Sequence, residues 1–323
     1  MFCNRVQILL KPIFNSVKTT FRKYTPRRAV LYAPADNLKK VLSTFMLKVD
    51  CIMLDCEDSV VLSHKSEARL NIRQLLDQGK PIKKSNYDFG VHMNEPHSEL
   101  LKLDVSVIMT GKHVPDTICL PKVDKPSDVQ IFADLLNEYV KSDIKVNLII
   151  SVESPESLVN LVEICNTAVA LSKTSKFTLV GLAFGCMDYC VQLGVKISKT
   201  LNEVLYARMK VVTVAKAFHL QAIDMASNNY KNLEIVKNQA EEAAQLGYTG
   251  KKVFHKSHIE VVQEVFSPSK QDIALAQKII KMFSEHQKEG KAYFLHKGTI
   301  IAMPMMRWAQ HILELANAID MKK

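Results

Sequence analysis

Two acidic residues, Glu153 and Asp188, follow two consecutive apolar runs at 146–152 and 178–185. If those runs are neighbouring strands of one sheet, about 4.8 Å apart, their ends hold two carboxylates within reach of a single ion. Two carboxylates plus water suit Mg²⁺, a hard cation that prefers oxygen ligands and keeps several waters. The same acids would also be at home as solvated groups or near helix N-termini, where negative charge is favoured. Other apolar runs end in polar residues too. Asp55-Cys56-Glu57-Asp58 ends the second, His92-Met93-Asn94 the third and Pro121-Lys122 the fourth. A carboxylate of the acidic cluster could reach a metal-bound water or orient a basic residue. Its commoner role is structural, pairing with Arg28 or Lys122. Lys122 could serve as a base, but a lysine closing a strand more often holds acids in place. Tyr32, Lys39 and Lys40 follow the first run and suit a phosphate-bearing ligand, although two lysines opening a helix are usually solvated. Cys186 and Cys190 have no positioned base near them in the chain and read as neither ligands nor nucleophiles.

These residues need elements to position them. Strands are expected at 29–34, 51–56, 88–93, 117–122, 146–152, 178–185, 220–225 and 252–255. Helices are expected between them at 64–77, 127–140, 156–171, 199–217 and 231–246. The strand segments are continuous apolar runs, the pattern of strands buried on both faces. Eight strands alternating with helices favour an α/β closed (β/α)8 barrel, a TIM barrel, over an open doubly wound sheet. No G-x-G-x-x-G follows any strand, so a dinucleotide fold has little support. In a barrel, chemistry sits at the C-terminal strand ends, where the polar residues above gather. The barrel is assigned to 25–265. After the break at Phe266-Ser267-Pro268-Ser269 come a helix at 270–289 closed by Gly290, an irregular stretch from Tyr293 to Pro304, and a final helix. Residues 266–323 therefore read as a helical arm, a lid or a docking arm for another subunit.

Composition narrows the class. With 47% hydrophobic and 24% charged residues in 323, the chain can bury a full core and is not a disordered polymer. No run of about 18 apolar residues is present, so no membrane span is expected. The formal charge of +10 invites a nucleic-acid reading, but seven basic residues and no acid lie in residues 1–30. Removing those seven leaves +3 for the other 293 residues, with no basic stripe to track phosphates. Residues 1–24 are basic and acid-free, with Val6, Leu9, Leu10, Ile13, Phe14, Val17 and Phe21 at helical spacing, the pattern of a mitochondrial transit peptide. Seven scattered cysteines make no disulfide framework and no C-x-x-C pair, so free thiols in a reducing compartment are expected.

Several segments resemble the citrate lyase beta subunit family, within the HpcH/HpaI aldolase superfamily. They are Pro26-Arg27-Arg28-Ala29-Val30-Leu31-Tyr32-Ala33-Pro34, Leu54-Asp55-Cys56-Glu57-Asp58, Leu120-Pro121-Lys122-Val123 and Val152-Glu153-Ser154. Phe184-Gly185 with Asp188, Leu205-Tyr206-Ala207-Arg208, Gln221-Ala222-Ile223-Asp224 and Gly247-Tyr248-Thr249-Gly250-Lys251-Lys252 continue the series in the family's order. The resemblance implies a TIM barrel, a homotrimer, Mg²⁺ and an acyl-CoA substrate in the mitochondrial matrix. It implies cleavage of a carbon–carbon bond next to a thioester, as in citramalyl-CoA giving acetyl-CoA and pyruvate. On matching motifs, Glu153 and Asp188 fall on the metal ligands, and Tyr32 and Lys39 on contacts to the CoA ester.

The chain also departs from the family pattern. The arginine expected after the third strand, a substrate-binding group, is His92, which lacks the bidentate, permanently charged fork. Met187 and Cys190 stand where the family has an acid and an arginine. Ala302 replaces the aspartate that acts as acid/base in a neighbouring subunit's site, so no residue can be assigned that role here. The turn after the first strand is Pro34-Ala35-Asp36, and Phe254-His255-Lys256 replaces an Ile-His-Pro segment. Loss of a general base costs about 10²–10⁴-fold and loss of an oxyanion partner about 10²–10³-fold. Malate-synthase-like condensation is therefore expected to be impaired. Two functions stay open: a weakened or retuned acyl-CoA lyase, and a non-catalytic paralogue that binds metal or acyl-CoA or only assembles with a partner.

Overall fold

A computed structural model describes residues 25–79, 87–141, 143–229, 231–288, 293–296 and 298–320. The targeting candidate 1–24 and Gly290 lie outside the described residues. Eight parallel strands close in sequence order into a barrel. They are β1 (Ala29–Pro34), β2 (Cys51–Asp55), β3 (Asp88–His92), β4 (Thr117–Leu120), β5 (Val146–Val152), β6 (Phe177–Phe184), β7 (Gln221–Asp224) and β8 (Gly250–Val253). β1 closes the ring on β8, with Val30 opposite Lys252.

Side chains alternate between the two faces of the wall, as the period of two in a strand requires. Val30, Tyr32, Met53, Cys119, Ile149, Ala183 and Ile223 fill the interior. Ala29, Leu31, Ala33, Ile52 and Leu54 face the opposite way, into the larger core beneath the helices. The N-terminal floor is closed by Arg27, which donates to Asp88, to Gln221 Oε1 at 2.8 Å and to Thr117 Oγ1 at 3.0 Å.

The helical layer comprises α1 (Leu38–Thr44), α2 (Lys65–Asp77), α3 (Glu99–Ile108), α4 (Pro126–Tyr139), α5 (Pro155–Leu171), α6 (Cys186–Leu193), α7 (Asn202–Ala217), α8 (Leu233–Leu246) and α9 (His258–Val265). Local sequence sets where these begin. Ser154 caps α5 by accepting from the Ser157 N–H, and Pro155 occupies the first turn. Glu153 is thereby held at the turn between β5 and α5.

Beyond the barrel, α10 (Lys270–Lys288) and α11 (Met303–Asp320) pack on each other around a separate cluster of Ala276, Ile279, Phe283, Phe294, Ile301, Met306 and Ala309. The stretch expected to be irregular is instead an antiparallel hairpin of β9 (Phe294–His296) and β10 (Thr299–Ile301). Gly298, at φ 79°, supplies the left-handed residue its reversal needs. Several boundaries move by one to three residues, two of them near the site. The last barrel strand starts at Gly250, because Gly250 and Lys251 pair with Ile223 and Asp224 of β7 despite the charged side chain. The sixth strand ends at Phe184, and Asp188 lies in the first turn of α6 rather than at a strand end. Among the described residues no helix is long and apolar enough to cross a membrane. Cys56, Cys119, Cys165, Cys186 and Cys190 are buried thiols without disulfides, as expected.

Candidate functional site

A cavity of about 790 Å³ opens at the C-terminal ends of the strands. Tyr32, Asp55, His92, Glu153, Asp188 and Lys252 all line it. The expected site residues Tyr32, His92, Glu153 and Asp188 are thus brought together. Lys39 is not: it lies exposed on α1, outside the cavity lining. Ala302 is half-buried at the start of α11 and is also absent from that lining.

Glu153 is almost fully buried and tightly held. Its Oε1 accepts from the Ser151 hydroxyl at 2.6 Å, and its Oε2 from the Lys122 backbone N–H at 3.2 Å. Lys122 delivers that N–H from a left-handed conformation, φ 49°, which is unusual for a residue with a side chain and costs roughly 1–2 kcal/mol. The β6–α6 turn comes down directly on Glu153. A Cβ on Gly185 would strike Glu153 Cγ, so only glycine fits there. The turn carries Asp188 to the cavity half-buried. Burial and the negative charges of Glu153 and Asp58 raise the Asp188 carboxyl above the usual range. The Glu153 charge therefore opposes ionisation of Asp188. The Lys252 ammonium lies 4.0 Å from Glu153, and the charges of Lys122 and Lys252 partly offset the rise at Asp188.

A second group of potential ligand atoms belongs to Asp55, Glu57 and His92, which lie within 4.8 Å of one another. This group is already neutralised from within. The His92 Nδ1 contacts Asp55 Oδ1 at 2.9 Å. Burial raises the Asp55 carboxyl, but the His92 ring, the Ser59 hydroxyl and the Glu57 N–H overcome it and pull the value down to about 2. Burial works against a charged His92, yet the adjoining Cys119 sulfur and the Asp55 carboxylate lift the ring well above its ordinary value. An imidazolium is no metal ligand. Lys122 Nζ donates to Glu57 at 2.6 Å, although burial still pushes Glu57 up to about 7. Lys65 braces the loop from below, donating to the Cys56 and Glu57 carbonyls and to Asn94. The acidic cluster thus pairs with Lys122, one of its two expected partners. Arg28 instead holds Asp50.

The departures from the family pattern differ in setting. Met187 is 55% exposed at the cavity mouth. Cys190 is buried with its sulfur 3.9 Å from that of Cys186, and burial raises both thiols. Neither has the depressed pKa of a reactive thiol, in line with the sequence.

Sequence reasoning passed over Ser151 and Lys252. The signal for Lys252 was present in alternation: of two consecutive lysines on one strand, one must face each side of the barrel wall. Lys251 turns to Asp224, 2.7 Å away, beside the buried Arg208. Lys252 turns to the cavity, donating to Ser151 Oγ at 3.1 Å and lying 5.5 Å from the Tyr32 ring centre.

Comparison with known proteins agrees with this architecture. Residues 28–256 match the HpcH/HpaI aldolase/citrate lyase family. The chain is 36% identical to the mouse mitochondrial citramalyl-CoA lyase, over 99% of this chain and 94% of that protein. It is 37% identical to the human mitochondrial citramalyl-CoA lyase, over 94% and 89%. It shares the fold of the protein CitE from Mycobacterium tuberculosis, solved with magnesium, acetoacetate and coenzyme A, at a TM-score of 0.70 and 22% identity over 90% of this chain and 98% of that one. With the family matched across the whole barrel and relatives above one-third identity over nearly the full length, the chain belongs to the HpcH/HpaI aldolase/citrate lyase family and is by class a carbon–carbon lyase.

Proposed function

We propose that the chain is an Mg²⁺-dependent lyase of a short acyl-CoA, cleaving citramalyl-CoA to acetyl-CoA and pyruvate. The observation that carries this reading is the carboxylate pair Glu153 and Asp188. It shares the cavity with His92 and Lys252, and burial together with the Glu153 charge raises Asp188. The donor set fits a hard divalent cation: two carboxylates, with room for water and substrate oxygens. Glu153 and Asp188 would hold the ion. Bound there, Mg²⁺ supplies Lewis-acid polarisation of the keto-acid oxygens.

The chain's own groups do the rest. The tertiary hydroxyl of the substrate loses its proton to solvent, and its electron pair becomes the carbonyl of pyruvate. The carbon–carbon bond breaks, and its electrons pass to the thioester as an enolate. That enolate takes up one proton to become acetyl-CoA. His92 is placed to give it: it lines the cavity, its Nδ1 is fixed on Asp55, and the Asp55 carboxylate and the adjoining Cys119 sulfur favour the protonated ring. Tyr32 forms the cavity wall beside both His92 and Lys252. Tyr32 and Lys39 are assigned to the CoA ester, Lys39 on the outer surface along which the long cofactor arm would run.

We place the protein in the mitochondrial matrix as a homotrimer. The basic, acid-free residues 1–24 and the mitochondrial relatives support the first assignment. Exposed Leu295 and Ile300 on the arm's hairpin support the second. Ala302 favours the alternative, a catalytically decayed paralogue. One assay decides between them: citramalyl-CoA cleavage by the chain lacking residues 1–23, with and without Mg²⁺. Turnover abolished by chelation and by Glu153→Ala supports the lyase. Turnover no higher than a metal-stripped control supports the decayed paralogue.

A further inference from the structure

We propose that Lys252 is the catalytic residue that receives the enolate oxygen of the departing thioester. The inference rests on the lyase reading and extends it to a residue outside the metal pair. Lys252 is 7% exposed and lines the cavity. Its ammonium has three N–H groups. One is engaged at hydrogen-bonding distance, by Ser151 Oγ at 3.1 Å, while Glu153 stands off at 4.0 Å. The Tyr32 ring lies 5.5 Å away, and the edge of the same ring meets His92. Lys251 shows the contrast: its ammonium reaches Asp224 at 2.7 Å, a carboxylate that also accepts from Arg208. A buried cation with donors to spare is costly unless an anion completes it. The carboxylate and keto oxygens of the pyruvyl part suit a cation on Glu153 and Asp188. The remaining oxygen that gains charge as the bond breaks is that of the thioester. Lys252 faces the chamber where it forms, and His92 alone offers a single donor.

A purely structural role is the competing account, in which Lys252 only holds Glu153 through Ser151. Lys252→Met and Lys252→Arg separate the two, with kcat, KM and half-saturating Mg²⁺ measured on citramalyl-CoA. An oxyanion receptor predicts that Lys252→Met lowers kcat about 10²–10³-fold. KM and half-saturating Mg²⁺ would stay within about threefold, and Lys252→Arg would keep at least about a tenth of the parent rate. A kcat within about threefold of the parent overturns the proposal, as does an Mg²⁺ requirement that rises in step with the loss. A binding measurement isolates this idea from the lyase reading. The thioether carboxymethyl-CoA carries a carboxylate near the place of the enolate oxygen, whereas acetyl-CoA is neutral there. The parent should bind the carboxylate compound at least about tenfold more tightly, and Lys252→Met should lose that preference. Equal binding of the two compounds by the parent, or an unchanged preference in Lys252→Met, overturns the assignment of Lys252. Absence of turnover with the preference present and lost in Lys252→Met overturns the lyase reading and leaves Lys252 as an anion receptor.

Discussion

Replacing His92 with Asn removes a positive charge from the barrel while leaving an amide able to donate to Asp55. Asp55 sits at about 2 against an ordinary 3.8, a depression to which the His92 charge and hydrogen bond contribute most. At about 1.4 kcal/mol per unit, the His92 contribution is worth up to about 2 kcal/mol near neutral pH. The sign follows from which state binds the proton. Asp55 is depressed by folding, so its contribution is present above 3.8 and lost as pH falls through about 2. His92 is raised by folding, so its contribution is present below 6.5 and lost as pH rises through its folded value. The two windows overlap between pH 3.8 and 6.5. Unfolding entropy for a chain of this size is on the order of 0.6 kcal/mol per degree, so the loss amounts to about 3–4 °C in Tm. The assay is thermal unfolding followed by far-ultraviolet circular dichroism, parent against His92→Asn, from pH 2 to 7. The sole tryptophan, Trp308, lies in the arm and would report on the wrong unit. The difference should be greatest near pH 5–6 and vanish near pH 2. An equal Tm loss at every pH would mean that lost packing, not lost charge, sets the effect. No loss at pH 5.5 would refute the ion pair itself.

Asp188→Asn and Glu153→Gln should each abolish an Mg²⁺-dependent rise in Tm. At a hundred times the Kd that rise is about 2.7 kcal/mol, or roughly 4 °C, in the parent; a rise surviving in either variant removes the metal assignment. Gly185→Ala forces a Cβ against Glu153 Cγ, so Mg²⁺ affinity measured by calorimetry should fall about tenfold or more. Arg208→Met leaves Asp224 with only Lys251 in a fully buried site; it should cost about 3–5 kcal/mol in denaturant unfolding, and a loss under about 1 kcal/mol would show that Lys251 alone suffices.

The barrel was legible because its strands are buried on both faces and read as unbroken apolar runs. The expected limits of β1 and β5 coincide with those observed, 29–34 and 146–152. β8 was misplaced by two residues at its start, since Gly250 and Lys251 look like loop residues until Lys251 finds Asp224 inside the fold. The β9–β10 hairpin has three residues in each strand, too few for a periodic signal. Glu153 and Asp188 could be paired from sequence because consecutive strands are neighbours in a barrel. The pairing of the acidic cluster with Lys122 was one of two sequence expectations, but the neutralisation of Asp55 by His92 was not among them, because it depends on side-chain direction. Lys39 shows the limit of a motif: its position matches, but its side chain lies outside the cavity.

Of the departures from the family pattern, His92 and Met187 line the cavity, whereas Cys190 and Ala302 lie outside its lining. Met187 is 55% exposed and Ala302 half-buried. His92 and Cys190 are buried, and each has found a neighbour, Asp55 in one case and Cys186 in the other. The floor built on Arg27 and the wall cluster of Arg208, Asp224 and Lys251 are complete. Stability alone would be satisfied by that scaffold. It gives no reason to hold Lys122 in a left-handed conformation, to bury Lys252 with donors to spare, or to set Asp188 against Glu153. Each of these features is unfavourable by itself, and each would be offset by a divalent cation and an anionic ligand in the same cavity, as the lyase proposal requires. Unfavourable local choices of that kind concentrate where a ligand completes the structure. The balance of charge at this barrel mouth therefore fits a ligand site, and in the lyase reading proposed above Lys252 and His92 are the groups that would act without a carboxylate at Ala302.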